Sequence, residues 1–121
     1  MDIKNMTITK AQGGLKQKTF SSVELTKAYL ERIKQVESKV NAFVTVTEEE
    51  ALQNAKAADE KLAKGEKSAL LGIPLSIKDN FSTSGIRTTA SSKVLENYIP
   101  PFDATVVKRL KEAGIVLLGK T

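Results

Sequence analysis

The 121-residue chain contains no cysteine and no histidine. Without cysteine it has no disulfide framework and no thiolate nucleophile, and without histidine it has no imidazole base or metal ligand. Acid–base chemistry near neutral pH must therefore come from a lysine, a carboxylate or a water molecule. These two absences direct attention to lysine side chains in unusual positions.

Aromatic residues and long apolar runs are also scarce. Aromatic residues make up 5% of the chain, and the longest aliphatic run, residues 115–118, is far too short to cross a bilayer. With no cysteine and no hydrophobic leader, we expect a cytoplasmic protein without a membrane partner. The net charge of +5 comes mostly from lysine. Nucleic-acid surfaces usually combine clustered arginine with aromatic residues, so solvated helices are the simpler interpretation and an RNA-backbone contact is the alternative.

Capping signals predict where the helices begin. Ser21, with Glu24 three residues later, forms a capping box ahead of the clearest apolar stripe at helical spacing. Thr47 is followed by glutamates and repeats the pattern. Thr7 and Asp103 are expected to cap two further helices.

Apolar segments predict strands at residues 41–46, 73–77 and 115–118. The last segment is apolar on both faces, as in strands at the middle of a sheet covered by helices on each side. A helix is expected between the second and third strands, so these two should run parallel. The pattern therefore predicts an α/β fold.

Lys78 directly follows the predicted strand at residues 73–77 and precedes a loop rich in serine and threonine. Alternation along the strand places Lys78 on the same face as Ser76, opposite the apolar residues. A lysine at this position either points into water or lies in a partly desolvated cleft. Desolvation lowers the pKa of a lysine and provides a neutral amine as a base. From the residues alone both interpretations stay open.

A second lysine lies in a well-known pattern. Residues 114–121, GIVLLGKT, match the phosphate-loop consensus, with Lys120 in the position of the phosphate-binding lysine. The four aliphatic residues between the glycines are typical of a strand, whereas a phosphate loop follows a strand and keeps its backbone N–H groups free. We therefore expect a strand end here and no nucleotide site.

A serine–lysine hydrolase contained within the chain is a further possibility. Ser76, Ser91 or Ser92 would be the nucleophile and Lys78 its base. None of these serines stands beside a glycine-rich turn or a helix N-terminus that could supply oxyanion donors. We therefore do not favour this interpretation.

The segments LGIPLSIKDN at residues 71–80, GIRTTASSK at residues 85–93 and GKT at residues 119–121 resemble the amidase signature family. The resemblance covers residues 21–121, and residues 1–20 correspond to the family's leading helix. It implies the incomplete N-terminal part of an amidase signature domain. The fold implied is a mixed, mainly parallel sheet covered by helices.

The resemblance also implies a mechanism. Members of the family hydrolyse amides with a Ser–cis-Ser–Lys triad, and Lys78 is in the position of its lysine. That lysine deprotonates the bridging serine, which activates the nucleophilic serine. Both serines, and the segment that forms the oxyanion hole, are expected beyond Thr121. The 121 residues alone are therefore expected to be inactive.

Within the family, the pattern is most similar to members that release ammonia from glutamine for a tRNA-dependent transamidation. This implies partner B and C subunits, with ATP and Mg²⁺ on the B subunit, while Glu-tRNA(Gln) is bound by the complex. No cofactor or metal is expected in this chain. Two alternatives stay open: another hydrolase of small amides, and a non-catalytic assembly or binding module.

Overall fold

The computed structural model describes all 121 residues. The elements are, in chain order, α1 (Ile8–Gln17), α2 (Ser22–Val40), β1 (Thr45–Val46), α3 (Glu48–Ala63), β2 (Pro74–Ile77), a short 3₁₀ helix (Lys93–Leu95), α4 (Thr105–Glu112) and β3 (Val116–Lys120). None of the helices combines the length and the apolar character needed to span a membrane.

The three strands form one mixed sheet in the order β1-β3-β2. β2 runs parallel to β3, as predicted, and β1 runs antiparallel to it. The expected α/β fold with a mixed sheet is confirmed. β3 is the central strand, and β2 lies at an edge of the sheet within these residues.

Both faces of β3 are buried, which confirms the expectation for its apolar sequence. Val116 and Leu118 pack against α2 and α3 on one face, where small alanines allow the helices to approach closely. Ile115 and Leu117 pack on the other face against α4 and the loop that follows β2. A third cluster joins α1 and α2 to the start of β2; it contains Ala11, Leu15, Leu25 and Ile73.

Gly119 allows β1 to approach the end of β3. The register with β2 shifts here: Leu117 pairs with Leu75 but Gly119 pairs with Ser76, so β3 carries one extra residue. Gly119 has φ +154°, and a Cβ at this position would collide with the backbone oxygen of Thr45. Only glycine suits both the backbone angle and the space. Bulges of this kind commonly re-aim the following side chain, which here is Lys120.

The predicted caps are partly correct. The capping box is confirmed: the Ser21 hydroxyl accepts from the Glu24 N–H at 3.1 Å, and Glu24 accepts from the Ser21 N–H at 2.8 Å. Thr7 caps α1 as expected. Thr47 is the N-cap residue of α3, as predicted, but the capping hydrogen bond is absent because its hydroxyl instead donates to the Leu117 carbonyl at 2.9 Å.

Two other boundaries differ from the prediction. Ala104, not Asp103, precedes α4, because the Asp103 carboxylate instead accepts from the Ser84 N–H and from Lys111. The strand expected at residues 41–46 is reduced to β1, because Asn41 adopts a left-handed conformation that ends α2.

Candidate active site at the carboxyl ends of β2 and β3

Parallel strands β2 and β3 end at the same edge of the sheet, and each is associated there with a lysine. Lys78 comes directly after β2, and Lys120 is the last residue of β3. The loop at residues 79–92 starts from this edge. In open α/β sheets, ligands bind outside the carboxyl ends of parallel strands. We therefore regard this edge as the candidate active site.

The backbone at Lys78 is firmly held, although its side chain is free. The Thr121 N–H donates to the Ile77 carbonyl at 3.0 Å, and the Asp79 N–H donates to the Thr121 carbonyl at 2.6 Å. The Lys78 side chain is exposed and forms no hydrogen bond or ion pair within the chain. Of the two placements that the sequence leaves open, these 121 residues show the exposed one. The reason is that β2 is an edge strand and no described element covers its carboxyl end.

Lys120 is the lysine that the fold buries, with 0% of its side chain exposed. Its ammonium donates to the Phe81 carbonyl at 2.8 Å and to the Thr88 hydroxyl at 3.0 Å. The nearer carboxylate oxygen of Asp79, Oδ1, lies 3.6 Å from Nζ. Burial lowers the pKa of Lys120, and the negative charge of Asp79 opposes that change.

Asp79 is anchored through both its side chain and its backbone. Its Oδ2 accepts from the Thr89 N–H at 3.0 Å and from the Thr89 hydroxyl at 2.5 Å. Its carbonyl accepts from the Ala90 N–H at 2.8 Å. The remaining oxygen, Oδ1, forms no hydrogen bond and faces only the Lys120 ammonium. The carboxylate is therefore paired on both sides, which a buried charge requires.

The far end of the same loop is strained. Ala90 and Ser91 both have positive φ, +48° and +57°, in the left-handed region. This conformation costs a non-glycine residue about 1–2 kcal/mol. It is held by the bond from Ala90 to Asp79 and by a bond from the Ser91 N–H to the Thr89 hydroxyl at 3.1 Å. The contacts of Asp79 thus extend to a strained turn, a feature often found at functional sites.

The serines considered as nucleophiles are not brought together with Lys78. No hydroxyl of Ser76, Ser91 or Ser92 forms a hydrogen bond with the Lys78 amine. Ser92 instead accepts from the Val94 N–H at the start of the 3₁₀ helix. These residues alone therefore lack a complete serine–lysine pair.

Residues 114–121 do not form a phosphate loop. The backbone of β3 is used in the sheet, since the Val44 N–H donates to the Lys120 carbonyl and the Thr47 N–H to that of Leu118. The Lys120 ammonium is directed at oxygen atoms of Phe81, Thr88 and Asp79. No group of three or more acidic side chains lies close enough together to hold a metal ion.

Two residues of the site, Lys120 and Asp79, are not predicted from the sequence. The sequence pattern places Lys120 only at a strand end and gives Asp79 no chemical role. One signal was available: a lysine that ends a strand apolar on both faces lies at the centre of a sheet and is buried there. The positions of Asp79, Phe81 and Thr88 around it depend on loop geometry, which no sequence period reveals.

Comparisons with known proteins converge on one family. The family model described as Amidase matches residues 24–121. The A subunit of glutamyl-tRNA(Gln) amidotransferase from Thermoanaerobacter pseudethanolicus is 56% identical over all 121 residues, which cover 25% of that protein. The protein of the same name from Carboxydothermus hydrogenoformans is 59% identical over 108 residues, which are 88% of this chain and 22% of the relative.

Solved structures show the same fold. The native peptide amidase from Stenotrophomonas maltophilia has a TM-score of 0.93 and 32% identity, with 99% of this chain matched to 25% of that one. An amidase family protein from Bacillus anthracis has a TM-score of 0.90 and 34% identity, with 98% of this chain matched to 24% of that one. The chain thus spans about a quarter of the length of its relatives. With the family model covering residues 24–121 and the fold matching throughout, the chain belongs to the amidase family.

Proposed function

We propose that the full-length protein containing these residues is the glutamine-hydrolysing A subunit of a glutamyl-tRNA(Gln) amidotransferase. The observation that carries the proposal is the 56% identity, over all 121 residues, to a protein named as that subunit. The peptide amidase shares the fold but is only 32% identical. Glutamine is therefore a better supported substrate than a peptide amide.

In the proposed reaction, Lys78 is the general base. Its neutral amine accepts a proton from a bridging serine, which accepts the proton of the nucleophilic serine. That serine attacks the side-chain amide carbon of glutamine, and one proton returns from the lysine through the bridging serine to the leaving nitrogen, which departs as ammonia. Water then hydrolyses the glutamyl ester and restores the serine.

Two features of this chain support the assignment. The backbone on each side of Lys78 is fixed by hydrogen bonds to Thr121, while its amine has no partner within the chain. The amine is thus available to a group from the rest of the protein. The serines, the oxyanion donors and the cover that excludes water from Lys78 would all come from residues outside this chain, so the 121 residues alone should not hydrolyse glutamine.

The proposal includes partners. Because the relatives' name describes one subunit of an amidotransferase, we expect B and C subunits in a cytoplasmic complex that also binds Glu-tRNA(Gln). ATP and Mg²⁺ would act on the B subunit, where they activate the glutamyl group. The ammonia released by the A subunit would then complete the amidation.

The test uses the full-length protein produced together with its partner subunits. Glutamate release from glutamine is measured for wild type, for Lys78→Ala and for Lys56→Ala, a control that removes an exposed lysine of α3. We expect Lys78→Ala to lower kcat by about 10²–10⁴-fold, the usual contribution of a general base, and Lys56→Ala to change it less than about twofold.

Three results would overturn this proposal. If wild-type protein hydrolyses a C-terminal peptide amide but not glutamine, the amidase chemistry is supported and glutamine is rejected as the substrate. If glutamine is hydrolysed but no Gln-tRNA forms in an ATP-dependent reaction, the assignment as an amidotransferase subunit is rejected and a small-amide hydrolase is favoured. Absence of hydrolysis of either amide would favour a non-catalytic assembly module.

A further inference from the structure

The proposed reaction leaves one buried ionisable group without a role. Lys120 has no exposed side-chain surface, and it lies at the same sheet edge as Lys78. Its ammonium contacts three oxygen atoms that belong to one loop: the Asp79 carboxylate, the Phe81 carbonyl and the Thr88 hydroxyl. A single side chain thus gathers the start and the end of the loop that directly follows Lys78.

Stability alone does not explain a buried lysine at this position. Removing two charges from water is costly, and well-packed apolar residues of similar volume often give equal or greater stability. An apolar side chain cannot, however, bind three oxygen atoms from separate points of a loop. What the ammonium adds is a defined loop conformation.

The loop conformation determines the position of the Lys78 backbone, because the loop begins at the next residue in the chain. Asp79 is the next residue, about 3.8 Å away between Cα atoms. It is held at four points, through its N–H, its carbonyl and both carboxylate oxygens. If the Lys120 ammonium were lost, Oδ1 of Asp79 would be a buried charge with no partner. The carboxylate would then turn towards water, and the backbone at Lys78 would move with it.

We propose that Lys120 is a positioning residue for amide hydrolysis: its ammonium holds the loop at residues 79–90 closed, and the closed loop fixes the backbone from which the Lys78 amine reaches the serines. This inference rests on the proposed function of Lys78. Lys120 acts only through that backbone. Misplacement of a catalytic group by about 1 Å can cost about 10²-fold in rate.

The test separates positioning from stability in the full-length protein with its partner subunits. Lys120→Met/Asp79→Asn removes both charges together, so that neither is left buried and unpaired. Lys34→Met is the control, since it removes another lysine paired with an acid, Glu48, that bonds to no residue of this loop. The measurements are kcat and KM for glutamine per folded protein, thermal unfolding, and amide hydrogen exchange of residues 79–90.

We expect the double variant to lower kcat at least tenfold while KM changes less than about threefold. Hydrogen exchange should become faster in residues 79–90 and stay unchanged in α2. The Lys34 control should keep kcat within about twofold. A double variant with wild-type kcat would overturn the inference, as would a loss of kcat accounted for by unfolded protein.

Thr88→Val provides a second test if the double variant does not fold. It removes one of the three oxygen atoms around Lys120 and leaves both charges in place. We expect kcat to fall about threefold to tenfold with KM unchanged, and an unchanged kcat would overturn the inference. If wild-type protein shows no Lys78-dependent hydrolysis, the proposed function fails. In that case unchanged exchange of residues 79–90 in Thr88→Val would separately reject the loop-closing role of Lys120.

Discussion

Lys78 and Lys120 occupy the carboxyl ends of adjacent parallel strands, but their surroundings are opposite. Lys78 follows an edge strand, and its amine is exposed and unpaired. Lys120 ends the central strand, and its ammonium is fully buried among three oxygen atoms. The loop that starts after Lys78 folds over β3 and leaves the end of β2 uncovered. Position in the sheet, rather than residue type, thus determines which lysine is buried.

The two lysines therefore suit different roles at the same edge of the sheet, one holding the backbone in place and the other transferring a proton. A buried lysine whose ammonium donates two hydrogen bonds and faces a carboxylate can organise the backbone around it but cannot take part in proton transfer without breaking those contacts. A lysine with an anchored backbone and a free amine can take part in proton transfer once a hydroxyl group lies within hydrogen-bonding distance of the amine. Substitutions at and around the two lysines can test this division, and they differ in how much stability each should cost.

The greatest loss of stability is expected from Lys120→Met alone. It leaves the Asp79 carboxylate buried without its charge partner, and breaking a buried pair in this way costs about 3–5 kcal/mol. The free energy of unfolding of the full-length protein should fall by about that amount in urea denaturation. Addition of Asp79→Asn should recover most of the loss. A single variant as stable as wild type would show that the pair is not needed to satisfy buried charge.

Gly119→Ala is expected to have an intermediate effect. The added methyl group would meet the Thr45 carbonyl, and the backbone angle of +154° is unfavourable for alanine. Overpacking and strain of this kind cost about 1–3 kcal/mol. Urea denaturation should show the loss, and hydrogen exchange should become faster at Val44 and Thr47, whose N–H groups bond to β3. Gly13→Ala is the control, because it has open space around it, and it should not destabilise the protein.

The least loss is expected at Asp103, a partly exposed partner of Lys111. Burial opposes ionisation of Asp103, but the Ser84 N–H and the Lys111 ammonium outweigh it and lower the pKa below 3.8. A lowered folded-state pKa gives stability that is present above the unfolded value of 3.8 and is lost as pH falls through the folded value. Asp103→Asn should therefore cost about 0.5–1 kcal/mol near neutral pH.

The pH dependence provides the check on that prediction. Urea denaturation at about pH 6 and about pH 3 should show the wild type losing its advantage over Asp103→Asn as the carboxylate becomes protonated. A difference that stays constant between the two pH values would show that the ion pair and the Ser84 hydrogen bond do not stabilise the charged form.

The parts of the fold that depend on short-range signals were predictable. The capping box at Ser21, the strand at residues 115–118 and its burial on both faces follow from residue types at fixed spacing. The predicted cap at Asp103 was wrong because its carboxylate bonds to Ser84, nineteen residues earlier, and no local pattern contains such a contact.

The candidate site was only partly predictable for the same reason. The location of Lys78 at a strand end followed from alternation, but its exposure depends on β2 being the edge strand, which the strand pattern alone does not determine. The burial of Lys120 depends on a loop that returns from residue 79 to residue 88.

The proposed mechanism requires that Lys78 acts as a base rather than as a fixed positive charge. Lys78→Arg separates these two roles in the full-length protein with its partner subunits, because arginine keeps the charge but does not lose its proton in proteins. We predict a kcat for glutamine hydrolysis, measured per folded protein, as low as that of Lys78→Ala, within about threefold. An arginine variant that keeps more than about a tenth of the wild-type kcat would contradict a role as base.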